Sequence, residues 1–62
     1  MKIAAECRKF SMEYRLQAHQ PGITPRMAKV LENIANSFSG LASQYETLKA
    51  IATEEHRPDL LS

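Results

Sequence analysis

The chain has 62 residues, with eight Lys and Arg against seven Asp and Glu, two histidines and one cysteine. A chain this short is one domain at most, and its core is marginal because only about 60% of the unfolded surface can be buried. Such scaffolds lean on disulfides, a metal or a partner chain. A single cysteine excludes an internal disulfide and two dispersed histidines argue against a metal, so a partner chain is the expected support.

A net charge of +1 gives no electrostatic case from overall charge. The charges are nevertheless divided. Residues 1–30 carry six cations against Glu6 and Glu13, whereas residues 31–62 carry Lys49 and Arg57 against five carboxylates. A basic half and an acidic half favour antiparallel contact between them. The hydrophobic fraction of 44% is spread along the chain, as in globular proteins. No apolar run approaches the ~20 residues of a membrane span. Met1-Lys2-Ile3-Ala4-Ala5 runs at once into Glu6 and Arg8, unlike a secretory leader. The expectation is a cytoplasmic protein, away from membranes, with its thiol reduced.

In chain order, residues 2–18 read as a first helix. Ile3, Cys7, Phe10 and Tyr14 are spaced four, three and four, with Gln17 next in line, while Met12 and Leu16 lie off that seam and are available to a second neighbour. Pro21-Gly22 is a turn dipeptide. Thr24-Pro25 starts a second helix, with Thr24 as N-cap and Pro25 where its missing N–H costs nothing. That helix runs over residues 25–54 and closes ahead of Pro58, because the residue before a proline avoids the helical region. Residues 1–55 thus form a helical hairpin and residues 56–62 a short tail.

The second helix carries the strongest pattern. Met27, Leu31, Ile34, Phe38, Leu41, Tyr45, Leu48 and Ala52 alternate steps of four and three, a heptad seam. Val30 and Ile51 widen it on one flank, and Ala28, Ala35 and Ala42 recur on the other. A stripe this broad suits a bundle helix, and the alanine edge would let a neighbour approach closely. Gly40 sits mid-helix among serines and costs about 1 kcal/mol against alanine. The heptad phase passes through it without a slip, so a continuous helix is expected.

The predicted fold is all-α, an antiparallel helical hairpin that dimerises into a four-helix bundle. Symmetric closure across Pro21-Gly22 sets Tyr14 near Leu31, Phe10 near Ile34, Cys7 near Phe38 and Ile3 near Leu41. Met27, Leu31, Ile34, Phe38 and Leu41 then form the core. The helices are about 25 and 45 Å long, so the first ends near Leu41 and leaves Tyr45, Leu48, Ile51 and Ala52 as an overhanging apolar stripe. Such stripes mark interaction sites. A second copy covers this one in a two-fold homodimer. The competing cover is a tail folded back through Leu60 and Leu61, and a different protein partner is the remaining occupant.

Glu6-Cys7-Arg8 in the first helix and Ile34-Ala35-Asn36-Ser37-Phe38-Ser39-Gly40-Leu41-Ala42 in the second resemble the motifs of a group of small alphaproteobacterial helical-hairpin proteins. The resemblance covers about residues 4–50, with Phe38 where that group usually carries tryptophan. It implies a helical hairpin and no particular activity. In outline the chain is also similar to the RNA-binding hairpin dimers that control plasmid copy number, a likeness of architecture alone.

Little here points to catalysis. Cys7 lies beside Arg8 and Lys9, a setting found around nucleophilic cysteines, but the seam makes it a small core residue. His19 and His56 end different helices, too far apart to share a metal. Glu54, Glu55 and His56 splay around a helix end. A hairpin lacks a concavity for substrate. No enzyme activity and no cofactor are therefore expected, and the function is that of a small interaction or regulatory module working through helix surfaces. The alternative is a dimeric nucleic-acid-binding regulator contacting RNA or DNA through Lys2, Lys9, Arg26 and Lys29. Single-stranded recognition also wants exposed aromatics, and Phe10, Tyr14, Phe38 and Tyr45 all fall on the seam.

Overall fold

The structure, a computed structural model, describes residues 2–57 and residue 59. It is an antiparallel pair, α1 (Lys2–Ala18) and α2 (Pro25–Glu54), forming a rod of 49 × 14 × 11 Å. The proposed covering role of Leu60 and Leu61 lies outside the described residues.

Local chemistry explains each boundary. After α1 the chain turns at Gln20–Ile23, where Ile23 N–H donates to the Gln20 carbonyl at 3.3 Å. Pro21 presets the first corner, and Gly22 supplies φ +85° at the second, the requirement of a type II turn. Thr24 then caps α2: its Oγ1 accepts from Met27 N–H at 3.1 Å, with Pro25 in the first turn. The helix passes through Gly40 unbroken, and a Cβ there would meet nothing within 4 Å. At the far end His56 adopts φ 55°, His56 N–H donates to Thr53 O at 3.3 Å, and Arg57 N–H donates to Ala52 O at 2.7 Å. These bonds make a Schellman closure with histidine where glycine is usual.

The two helices meet on a different seam from the expected one. The buried residues of α1 are Ala4, Cys7, Ser11 and Ala18, and those of α2 are Ala35, Ala42 and Ala52. Among the described residues nothing larger than Cys7 is buried. Of the expected core, Leu31, Ile34 and Phe38 are half-buried, while Met27 and Leu41 are exposed at 55% and 40%. Each helix is turned by about 50°, half of one residue's angular step, toward its small-residue edge. The cause is size: alanine, serine and cysteine let two helices approach closely, and two helices cannot surround larger side chains.

The register also differs from symmetric closure. Phe10 and Tyr14 both pack on Phe38, with ring centroids 5.5 and 5.8 Å away. Cys7 is therefore not the partner of Phe38. Ser11 Oγ donates to Ala35 O at 2.8 Å, and Ser39 Oγ lies 2.5 Å from Ser11 Oγ. α1 thus lies about one turn further along α2 than expected. The six residues 19–24 are not a tight two-residue turn, and their length permits the shift. As a result α1 does not end near Leu41: Arg8 pairs with Glu46, and the groove beside Ala4 and Ala5 reaches Ala50 and Thr53.

Candidate association surface

The seam divides the rod into two unlike flanks. On one, polar groups join the helices. Arg8 pairs with Glu46, Arg15 Nη2 donates to Asn36 Oδ1 at 2.8 Å, and His19 Nε2 sits 3.9 Å from Glu32 Oε1. His19 Nδ1 donates to Arg15 O at 2.8 Å, closing the C-terminal turn of α1. Ser39, Ser11 and the Ala35 carbonyl form a short chain of hydrogen bonds beneath this flank. No buried side-chain polar atom is left unpaired among the described residues. Serine in mid-helix reads as surface in a sequence, so Ser11 gave no earlier sign of its buried role.

The other flank is apolar. Positions three and four apart share a helix face. Ile3 and Phe10 border the seam on α1, and Met27, Ile34, Leu41 and Leu48 border it on α2. The Phe10–Phe38 and Tyr14–Phe38 contacts join the two rows. Phe10 is 43% exposed, Leu48 37%, and Ile3, Met27 and Leu41 are likewise exposed. Val30 and Ile51, both exposed, continue the surface around α2. A contiguous apolar face on so small a protein is a mark of an interaction site.

The four residues expected to mediate self-association fall into two groups. Leu48 and Ile51 are exposed and Tyr45 is half-buried at the edge of this face. Ala52 is 1% exposed and offers no open surface, and its carbonyl accepts from Arg57 N–H where α2 ends. Ile3, Phe10, Met27 and Leu41 belong to the exposed face instead, a consequence of the rotated seam. Met12 and Leu16 lie off the seam beside Arg8 and Arg15, as a second, smaller exposed patch on the polar flank.

Lys2, Lys9, Arg26 and Lys29 are exposed but do not converge. Arg26 and Lys29 open α2 at the turn end of the rod, and Lys9 and Lys2 lie about 20 and 30 Å away along the axis. Arg57 chelates Asp59 through Nε and Nη2 at 3.1 and 3.0 Å. That guanidinium holds the Asp59 carboxyl below its ordinary range and raises its own pKa in return. Among the described residues no three of His, Cys, Asp and Glu come together as metal ligands. None of the described helices is long and apolar enough to cross a membrane. Comparison with protein-family models, curated proteins and solved structures finds no match to this chain.

Proposed function

We propose that the chain is a self-associating interaction module. Two hairpins stack through the apolar flank into a four-helix bundle, and the assembly acts through its outer helix surfaces rather than by catalysis. One observation carries this reading: among the described residues the hairpin buries only alanine, serine and cysteine, while most of its large apolar side chains stay exposed or half-covered along one flank. Full burial of such a side chain contributes about 1.5–3 kcal/mol. Side chains already half covered therefore have roughly 1 kcal/mol apiece still to gain. For a chain whose own core is this slight, that sum decides whether it folds. The reading places the protein in the cytoplasm, where the lone buried thiol of Cys7 stays reduced.

The test is solution mass by light scattering after gel filtration, across a concentration series with reductant. Wild-type chain should run as a dimer at micromolar concentration. Leu48→Glu puts a charge into the stacked face and should dissociate it, with loss of helical circular dichroism at the same concentration. A stable, fully helical wild-type monomer overturns the reading, as does a Leu48→Glu dimer of undiminished affinity.

A further inference from the structure

We infer that α1 carries a second docking site, on the polar flank of the rod, and that its partner is an acidic amphipathic helix of another protein. Ala5, Met12 and Leu16 form the outer crest of α1, all three exposed. Arg8 and Arg15 follow on the edge nearer α2, and Lys2 and Lys9 on the other edge. Every residue of α1 within this sector of about 140° is apolar or cationic. A helix face that meets only water mixes both signs of charge. Met12 and Leu16 are 65% and 63% exposed, more than any large side chain of the apolar flank among the described residues. The crest points away from that flank, so stacking of two copies leaves it open.

Charge selects an anionic partner. Beside α2 the face descends into a groove lined by Arg8, Ser11, Met12, Arg15, Leu16 and Ser39, with two guanidiniums and no carboxylate among them. Arg15 donates to Asn36, a neutral amide that does not offset its charge. Arg8 pairs with Glu46 outside the groove, and its fork of N–H donors has room for a second carboxylate. The lysine edge is weaker, because Glu6 and Glu13 stand one row further round α1. The partner's carboxylates therefore belong over Arg8 and Arg15, where bidentate pairing is available.

Spacing makes that partner a helix. Arg8 and Arg15 are two turns apart, about 10 Å along the axis. Ala5 and Met12 repeat at the same interval, and Leu16 stands one turn beyond Met12. A helix lying along α1 has the same rise, so carboxylates two turns apart meet both guanidiniums while its apolar seam covers Met12 and Leu16. Ala5 admits close approach at one end. A bilayer surface fits less well, because a crest with two large apolar side chains and no aromatic is narrow beside the face an interfacial helix buries. Nucleic-acid phosphates would pair with the cations and leave Met12 and Leu16 uncovered.

Fluorescence anisotropy with synthetic helical peptides tests the site. One labelled peptide carries leucine at its a and d positions and glutamate at e and g, and its control carries lysine at e and g. At physiological ionic strength the acidic peptide should bind at least tenfold more tightly than the basic one. Arg15→Gln and Leu16→Ser should each weaken that binding about tenfold, with helical circular dichroism unchanged. Val30→Ser, on the apolar flank, should leave it as it is. Equal affinity for the two peptides overturns the site, as does a loss on Val30→Ser as large as that on Leu16→Ser. Tighter binding to anionic phospholipid vesicles or to duplex DNA than to the acidic peptide overturns the assignment of its partner. Each of these failures leaves self-association standing, because the solution mass reports that separately.

Discussion

The seam between the helices and the flank beside it are built from opposite materials. The seam holds Ala4, Cys7, Ser11, Ala35 and Ala42, small side chains closed by one buried hydrogen-bond chain. The flank holds Ile3, Phe10, Met27, Leu41 and Leu48, large side chains that stay in contact with water. The seam fixes geometry, because small residues tolerate only a narrow range of approach. The flank holds the larger store of apolar surface, because methylene groups left in water are the ones with free energy still to gain. A two-helix hairpin with the reverse arrangement would splay its helices around large side chains and keep little to offer a partner.

Enlarging the seam is the most direct way to break this contrast. Ala35 is fully buried, and its carbonyl receives the Ser11 hydroxyl. Ala35→Leu forces the helices apart and should cost about 1–3 kcal/mol, read as a lower urea midpoint at fixed protein concentration. Wild-type stability in that variant would mean that the helices do not meet on the alanine edge. A smaller effect of opposite sign is expected at Gly40, which faces neither seam nor flank. With nothing within 4 Å of an added Cβ, Gly40→Ala should stabilise by about 1 kcal/mol without changing the solution mass.

Much of the fold was legible in the chain. Pro21-Gly22 and Thr24-Pro25 are strong local signals, and both helices have the bounds those signals imply. The uninterrupted heptad phase carried α2 correctly through Gly40. The orientation of the helices was harder to read, because α2 carries two adjacent rows that share Leu31, Phe38 and Tyr45. One row continues through Met27, Ile34 and Leu41, the other through Ala28, Ala35 and Ala42. Hydrophobicity ranks the first higher, yet close approach of only two helices selects the second. The register was hidden for a related reason: a six-residue connection leaves a slip of one turn open, and only side-chain fit decides it. Leu48 and Ile51 could be read from the pattern as exposed apolar residues. Ile3 and Phe10 could not, because their place on the flank follows from the rotation of α1.

The turn after α2 isolates helix-end energetics from both surfaces. His56 stands at φ 55°, a conformation that costs a residue with a Cβ roughly 1 kcal/mol or more, although histidine visits it more readily than most. The two hydrogen bonds from His56 and Arg57 onto α2 hold it there. Glycine removes the steric cost but adds disorder to the unfolded chain, so the net gain is smaller than the cost removed. His56→Gly should therefore raise stability by about 0.5 kcal/mol, seen as a modest rise in urea midpoint. Because the position lies beyond the helix end, the dissociation constant of the proposed dimer should change only as far as folding and assembly are coupled. A loss of stability on this substitution would show that the left-handed turn does not form in solution.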